Sequence, residues 1–122
     1  MKLKIIPTSD GSKTLYLREL DEQYHSINGA LTESNYVFIE KGFSPHPSPA
    51  PFVFEVGFGT GLNGLLTALA AEQYKRPTTY LTIDNNPLDE GITNELNYGK
   101  IISKRAQELF TEIHQCKWNE EV

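Results

Sequence analysis

The chain has 122 residues and a mass of 13.8 kDa, a size typical of one domain. Apolar residues make up 39% and aromatic residues 11% of it, enough to bury a core, so the composition excludes a fully disordered protein. Eleven Lys and Arg stand against sixteen Asp and Glu, and the resulting net charge of -5 argues against a broad electrostatic grip on nucleic-acid phosphates.

Cysteine usage and hydropathy predict a cytoplasmic protein. The single cysteine, Cys116, cannot form an intrachain disulfide and suits a reducing compartment. No apolar run reaches the roughly 18 residues that a membrane span needs. The first residues, MKLKIIPTSDG, lack the apolar block of a signal peptide. Neither a membrane partner nor a metal site is expected.

Two short apolar runs at the start of the chain predict a β-hairpin. They cover residues 2–8 and 14–17, and Asp10-Gly11 between them is a strong turn signal. A helix is then predicted from about Asn28 to Lys41, with Gly42 as its stop. Its evidence is a set of residues on one helical face: Ala30, Leu31, Ser34, Val37 and Phe38.

A proline-rich connector follows at residues 43–51. Prolines occupy alternate positions from Pro45 to Pro51, which fixes φ, removes backbone donors and excludes both a helix and a paired strand. The connector divides a single domain into an N-terminal part, residues 1–42, and a predicted cofactor-binding part, residues 52–122.

The part after the connector has the pattern of a βαβ unit. The run FVFEV at 52–56 is nearly continuous in apolar residues, as in strands buried on both faces. Leucines recur at helical spacing over 62–74, and residues 78–83 are β-branched and aromatic. Such a unit has parallel strands and a right-handed crossover. The predicted fold class is α/β, a hairpin and helix followed by the first βαβ unit of a Rossmann-like sheet.

Two further helices are predicted near 88–97 and 101–115, with Gly99 between them. The second has an apolar face formed by five residues: Ile102, Ala106, Leu109, Phe110 and Ile113.

A glycine cluster lies between the first strand and the helix of the βαβ unit. It consists of Gly57, Gly59, Gly61 and Gly64. Glycines at such a turn permit positive φ, and the helix N-terminus offers unpaired N–H groups, so a nucleotide-like ligand is predicted here. Asp84, at the end of the next strand, can accept the hydroxyls of an adenosine ribose. The alternative is purely structural, with the glycines forming a tight turn and Asp84 capping a helix.

Three kinds of nucleotide site use glycines in this position. A P-loop requires Lys and Ser or Thr after its last glycine, whereas this loop continues into Leu62-Asn63. The spacing Gly59-x-Gly61-x-x-Gly64 suits the pyrophosphate of NAD or FAD, and Glu55-x-Gly57-x-Gly59-x-Gly61 suits S-adenosylmethionine. Glu55 favours the second, because a carboxylate repels a pyrophosphate but attracts an ammonium and sulfonium ligand. A fragment of an NAD- or FAD-binding oxidoreductase remains the alternative.

The sequence also resembles the MnmC-like methyltransferase family over roughly residues 14–100. The resemblance rests on four blocks: Tyr24-His25-Ser26, Asn28-Gly29-Ala30-Leu31 with Glu33, Tyr36-Val37-Phe38, and the run from Phe52 to Asn63. Members of this family methylate the aminomethyl group of 5-aminomethyl(-2-thio)uridine at the wobble position of certain transfer RNAs. The resemblance therefore implies S-adenosylmethionine as cofactor, tRNA as substrate, and an FAD-dependent oxidoreductase as a partner acting upstream.

The resemblance also implies a role for each matching residue. The glycine loop, including Phe58, Thr60 and Asn63, would lie under the methionine part of the cofactor with Glu55 beside it. Asp84, where the family often has Glu, and its neighbour Asn85 would lie at the ribose. The cover of the pocket would come from four N-terminal residues: Tyr24, Ser26, Asn28 and Glu33. The structural alternative makes Ser26 or Asn28 the cap of the helix.

The family has a larger sheet and is longer than this chain. Its Asp-Ala-Phe segment, where substrate nitrogen and methyl donor meet, has no counterpart here. We therefore expect a fragment that holds part of the cofactor site, lacks an identifiable catalytic base, and binds S-adenosylmethionine weakly or not at all. His25, His46, His114 and Cys116 are candidates for catalysis by residue type only. A non-catalytic interaction module that uses the edge of a small sheet is the third hypothesis.

Overall fold

The computed structural model describes residues 3–26 and 28–120. Strands β1 (Leu3–Pro7) and β2 (Lys13–Leu17) form the predicted antiparallel hairpin, with Leu3 opposite Leu17 and Pro7 opposite Lys13. Lys2, which the prediction included, lies outside the described residues. A short strand, β3 (Glu22–Gln23), joins the outer side of β2 and was not predicted, because two polar residues give no periodic signal.

The helix after the hairpin is longer than predicted and changes its winding. It begins as α1 (Ala30–Ser34) and continues as a π-helix over Asn35–Phe43, so Gly42 does not stop it. In the π-helix each carbonyl is bonded five residues ahead, as in the 2.8 Å bond from the Ser44 N–H to the Ile39 carbonyl.

The wider π-helical turn changes which side chains face the core. The buried positions are Ala30, Ser34, Ile39 and Phe43, a spacing of four, five and four residues. Val37 and Phe38, which a 3.6-residue period places on the buried face, are 47% and 49% exposed. That part of the sequence prediction is wrong, because the period itself changes within the helix.

Asp10, in the hairpin turn, caps α1, although the helix begins twenty residues later in the sequence. The cap position is Gly29, which has no side chain, and neither Ser26 nor Asn28 fills this role. Instead, one carboxylate oxygen of Asp10 accepts the Thr32 N–H and the Thr32 hydroxyl, both at 2.8 Å. The other oxygen binds within the turn, accepting the Ser12 N–H at 3.0 Å. The hairpin therefore fixes where the helix begins.

The proline-rich connector, predicted over residues 43–51, begins one residue later because Phe43 still belongs to the π-helix; residues 44–51 contain neither helix nor strand, as predicted. It is held from outside by Arg76, which follows the helix of the βαβ unit. The guanidinium donates to the carbonyls of Phe43, His46 and Ser48 at 2.8–2.9 Å and lies 4.4 Å from the centre of the Phe43 ring. The Arg76 guanidinium thus supplies hydrogen bonds to backbone carbonyls of a segment whose prolines have no N–H groups to donate.

The βαβ unit is confirmed. Strand β4 (Phe52–Val56) leads to α2 (Leu62–Gln73), which ends one residue earlier than predicted, and then to β5 (Thr79–Ile83). The two strands are parallel, with Phe52 beside Thr79 and Val56 beside Ile83.

Only one face of this two-stranded sheet is covered, which corrects the prediction of strands buried on both faces. The open face carries five apolar side chains that are 49–74% exposed: Phe52, Phe54, Val56, Leu81 and Ile83. The other face carries Val53, Glu55, Tyr80 and Thr82, all partly buried.

The C-terminal helices differ from the predicted pair. The first is a short α3 (Glu90–Thr93); the second region is divided into α4 (Tyr98–Ile102) and α5 (Lys104–Gln115). The break is at Ser103, whose hydroxyl caps α5 by accepting the Ala106 N–H at 3.1 Å. Gly99 lies inside α4, where a Cβ would be 2.4 Å from Gln107 Cα, so this glycine permits close helix packing and does not separate helices.

The core joins all parts of the described chain. It is centred on α2, against which the π-helix and α5 pack, and its members are mostly leucine, alanine and aromatic residues: Leu15, Ala30, Ile39, Phe43, Leu62, Leu65, Leu66, Ala70, Leu96, Tyr98, Ala106, Leu109 and Phe110. The predicted apolar face over residues 102–113 is confirmed, although Ile102 belongs to the end of α4; Ile102 and Ile113 are partly buried. Among the described helices, none has the length and apolarity to cross a bilayer.

Candidate functional site

The loop between β4 and α2 adopts a conformation that depends on its glycines. Gly57, Gly59 and Gly61 have φ values of +87°, +57° and +82°, in the left-handed region that side chains rarely occupy. The first of these extends the sheet through a 2.7 Å bond from its N–H to the Ile83 carbonyl. The last is the cap of α2 and has no side chain, so no cap residue covers the first N–H groups of that helix.

The fourth glycine of the cluster has no such requirement. Gly64 lies inside α2, and a Cβ there would make ordinary contacts, 3.6 Å from Phe58 and 3.8 Å from Tyr80. In dinucleotide sites the last glycine permits close packing of helix on strand. The glycines that this loop needs are therefore those of Gly57-x-Gly59-x-Gly61, and not the set that ends at Gly64.

Asp84 is bound directly to the glycine loop. One carboxylate oxygen accepts the Gly59 N–H at 2.9 Å and the other accepts the Asn86 N–H at 2.8 Å. It is not a helix cap; Asp89 caps the next helix by accepting the Ile92 N–H. Because each carboxylate oxygen has a second lone pair, Asp84 can also accept ligand hydroxyls.

The segment after β3 covers the glycine loop. Tyr24 packs so closely on Gly59 that a Cβ there would lie 3.2 Å from the ring. Partial burial and, to a lesser extent, the nearby Asp84 carboxylate raise the pKa of Tyr24. The structure thus brings Tyr24, Gly59 and Asp84 together from three distant parts of the sequence.

His25 and Glu33 continue this cover. The His25 Nδ1 is 2.9 Å from the Thr14 hydroxyl and its ring meets the edge of Tyr98. Burial lowers the pKa of His25, and the Glu33 carboxylate opposes that effect in part. Glu33 accepts the Ser26 N–H at 3.1 Å, and the Ser26 hydroxyl accepts the Asn28 N–H at 3.1 Å. Ser26 therefore supports the cover from behind, while Asn28 is exposed.

A cavity of about 180 Å³ lies between this cover and the glycine loop. Its lining comes from both parts: Tyr24, His25, Glu33, Phe38, Gly57, Phe58, Gly59, Thr60, Leu62 and Asn63. The described lining contains one carboxylate and neither Lys nor Arg. The buried Oδ1 of Asn63 accepts no hydrogen bond from any described residue, so it is available to an N–H donor of a ligand.

Six predicted site residues lie outside this lining: Ser26, Asn28, Glu55, Gly61, Asp84 and Asn85. The carboxylate of Glu55 is on the covered face of the sheet, where it accepts the Thr82 hydroxyl at 2.9 Å. Burial and the adjacent Glu55 raise the pKa of Tyr80. Asn85 is exposed after β5, next to Asp84. Glu55 therefore lies on the sheet and is not a lining residue of the cavity.

Sequence reasoning did not place two residues at the loop, and it named one of them, His114, only by residue type as a candidate for catalysis. Phe38 lines the cavity because the π-helix turns it away from the core, a change of winding that no periodicity search detects. His114, near the end of α5, is within 2.8 Å of the Thr60 carbonyl. Its only signal in the sequence was its position near the end of a predicted helix.

A larger groove of about 850 Å³ lies elsewhere, between the π-helix and α2. Half of its lining residues are aliphatic, the others include Glu40 and Glu72, and none belongs to the glycine loop. By volume alone, this groove would be the candidate ligand site. The smaller cavity is the better candidate because polar atoms from three chain segments converge there.

No family model matches the sequence. Among solved structures, the crystal structure of MNMC2 from Aquifex aeolicus superposes with a TM-score of 0.71 at 22% sequence identity. The fold is MnmC-like. The superposition covers 95% of this chain and 39% of the MNMC2 chain, so the described fold corresponds to less than half of that protein. At this level of identity the comparison concerns the fold, which includes the hairpin sheet and the parallel βαβ unit.

Proposed function

We propose that this chain forms the S-adenosylmethionine-binding part of a tRNA methyltransferase that acts on the amino group of 5-aminomethyl(-2-thio)uridine at the wobble position. The observation that carries the proposal is the junction of Tyr24, Gly59 and Asp84 around a glycine loop whose cavity has a carboxylate but no Lys or Arg in its described lining. The MnmC-like fold supports the same function.

The residues present fit this cofactor in charge and in hydrogen bonding. When bound, S-adenosylmethionine supplies an electrophilic methyl group on a sulfonium. Asp84 would accept its ribose hydroxyls, and the positive φ values of the loop allow the backbone to approach it closely. Glu33 and Glu55 give the site the negative charge that attracts an ammonium and a sulfonium, and the unpartnered Asn63 Oδ1 offers an acceptor.

The same residues disfavour a dinucleotide. The uncapped N–H groups of α2 could bind a pyrophosphate, but the described cavity lining has no Lys or Arg to neutralise it, and the carboxylate of Glu33 repels it. Gly64, the last glycine of the dinucleotide pattern, has room for a Cβ.

The size of the cavity predicts weak binding. Its volume of about 180 Å³ is below the roughly 300–1,000 Å³ of usual ligand pockets, so it encloses only part of the cofactor. We expect a dissociation constant of about 0.1–1 mM, equivalent to a binding free energy of about -4 to -5.5 kcal/mol.

Equilibrium dialysis with radiolabelled S-adenosylmethionine tests the proposal. Asp84→Ala removes the ribose acceptor and should weaken binding about tenfold to a hundredfold, the loss expected for hydrogen bonds to a charged group. Glu55→Ala should weaken it less, because Glu55 acts through charge alone. Asp89→Ala, which removes a nearby exposed carboxylate, is the matched control and should bind like the unaltered chain. Equal binding by all variants would refute the assignment of the site.

A second candidate function, an interaction module, is favoured by the open face of β4 and β5. Its five apolar side chains carry no charge, and at about 100 Å² each they offer about 500 Å². Two copies packed face to face would bury about 1,000 Å² in total, the lower limit of a specific interface. The expected partner is therefore a second copy of this chain, in a weak dimer.

Sedimentation velocity across a concentration series tests this candidate. Phe54→Glu should abolish a concentration-dependent dimer. Leu20→Glu is a matched control, because Leu20 and Phe54 are both 55% exposed and only Phe54 lies on the sheet. A monomer at every concentration would exclude self-association through this face.

A further inference from the structure

The end of α5 is bound to the glycine loop. The Nε2 atom of His114 lies 2.8 Å from the carbonyl oxygen of Thr60. A carbonyl oxygen can only accept, so Nε2 must carry the hydrogen of this bond. Burial lowers the pKa of His114, and the bond to Thr60 opposes this in part, so the neutral ring with its hydrogen on Nε2 is favoured.

Aromatic rings surround the same contact. The Phe58 ring lies between those of His114 and Trp118, with centre-to-centre distances of 5.5 Å and 5.7 Å and edge-to-face geometry. Phe110, one turn earlier on α5, meets His114 at 4.5 Å. Phe58 and Thr60, the two loop residues that His114 contacts, both line the candidate cavity.

Gly61 lies beside both rings, and there is no room for a side chain at its position. A Cβ on Gly61 would lie 2.8 Å from His114 Nε2 and 2.8 Å from Phe58 Cζ. With φ at +82°, Gly61 also starts α2. The backbone of the loop is therefore held between a helix that it begins and a histidine that belongs to another helix.

We propose that His114 is a positioning residue for the glycine loop, which fixes the Thr60 carbonyl and the Phe58 ring so that the cofactor cavity is preformed before a ligand binds. The inference rests on the proposed function for its ligand, and it adds α5 to the elements that build the site. A loop that is held in its binding conformation does not lose conformational entropy again when the ligand arrives, and affinity rises accordingly.

Two substitutions separate the hydrogen bond from packing. His114→Phe keeps a ring against Phe58 and Phe110 but removes the donor, whereas His114→Gln keeps a donor but removes the ring. If His114 positions the loop through its hydrogen bond, His114→Phe should bind S-adenosylmethionine about threefold to tenfold more weakly, and His114→Gln should recover most of that loss. If it acts by packing alone, the order of the two variants is reversed, which would overturn the proposal.

His46→Phe is the matched control, because His46 lies in the connector and outside the described cavity lining. Affinity is measured by NMR titration of the ¹⁵N-labelled chain, and the amide signals of Gly59 and Gly61 report the loop itself. We expect those signals to shift in His114→Phe before any ligand is added. Unshifted loop signals together with unchanged affinity would contradict the proposal.

A measurement on the unaltered chain avoids any dependence on variants that fail to fold. The ¹⁵N chemical shifts of the His114 ring should show the neutral tautomer with its hydrogen on Nε2. A neutral ring with its hydrogen on Nδ1, which leaves no donor on Nε2, would overturn the proposed contact. If the tautomer and the loop shifts are as expected but S-adenosylmethionine does not bind, the proposed function fails and the positioning role of His114 remains.

Discussion

Replacement of Asp10 by Ala should destabilise the fold and loosen the cover of the candidate site. The carboxylate of Asp10 accepts hydrogen bonds from Thr8, Ser12 and Thr32, so it closes the hairpin turn and caps α1 at the same time. Glu33, which lines the cavity, is the residue after Thr32. One side chain therefore links the N-terminal hairpin to the position of the cover.

The expected loss follows from the groups that Asp10→Ala leaves without an acceptor. Loss of a helix cap costs about 0.5–2 kcal/mol, and the second set of bonds, inside the turn, should add about 1 kcal/mol. A total of about 2–3 kcal/mol is a large part of the roughly 5–15 kcal/mol that stabilises a domain. For a chain of this length it corresponds to a fall in melting temperature of about 8–12 °C.

Thermal unfolding followed by circular dichroism measures this loss, with Asp89→Ala as control. Asp89 caps the four-residue α3 with one bond and is exposed, so its loss should cost about 0.5–1 kcal/mol. Partial burial by itself raises the pKa of Asp10, but the hydrogen bonds from Ser12 and Thr32 outweigh it and hold the pKa well below the ordinary value of 3.8. The difference between the unaltered chain and Asp10→Ala should therefore be complete above about pH 4 and shrink at lower pH. Equal melting temperatures for the two Asp variants would refute this account of the cap.

Three other substitutions and a pH titration have expected outcomes. Gly61→Ala should lower the free energy of unfolding by about 2 kcal/mol or more, because its φ is positive and a Cβ would collide with its neighbours. Gly64→Ala, inside α2, should raise it by about 0.5–1 kcal/mol. Chemical denaturation that gave both changes the same sign would contradict the loop geometry. Arg76→Lys should make the connector more sensitive to limited proteolysis, because an ammonium cannot serve three carbonyls in a forked geometry, and an unchanged cleavage pattern would show that Arg76 is not its support. Burial lowers the pKa of His25, so the stability measured by unfolding should fall as pH drops below about 6.5, and His25→Phe should reduce that slope.

The sequence predicted those elements whose signals are local. Asp10-Gly11 between two apolar runs gave the hairpin, and the strand, glycines and leucine-rich helix gave the βαβ unit with its turn. Gly57, Gly59 and Gly61 all require the positive φ that glycine permits. Such features follow from the conformations available to a few adjacent residues, so they can be inferred without knowing the rest of the fold.

The features that sequence reasoning missed depend on distant contacts or on a change of helical period. Asp10 caps a helix that begins twenty residues later, and Arg76 binds carbonyls about thirty residues earlier, so no spacing rule detects either. The π-helix exchanged Val37 and Phe38 for Ile39 and Phe43 on the core face because it winds more widely than the assumed helix. Gly99 was interpreted as a helix break, although it permits close packing against α5.

For the candidate site, the residue types and the loop were predictable, but their grouping was not. The family resemblance implies that Tyr24 belongs to the cover of the pocket, but nothing in the sequence indicates that it packs on Gly59 itself, or that Asp84 bonds to the same glycine. Glu55 was given the deciding role from its position before the first glycine, yet its carboxylate is bound by Thr82 on the face of the sheet. Glu33, and not Glu55, is the carboxylate in the described lining of the cavity.

We propose that the cavity beside the glycine loop, with the Glu33 carboxylate in its lining, binds a sulfonium nucleoside in preference to a dinucleotide. NMR titration of the unaltered ¹⁵N-labelled chain with S-adenosylmethionine, and separately with NAD, tests it most directly. The account predicts saturable shifts at Gly57, Gly59, Gly61 and Asp84 with S-adenosylmethionine, and at least tenfold weaker binding of NAD. Tighter binding of NAD, or shifts confined to residues away from the glycine loop, would contradict it.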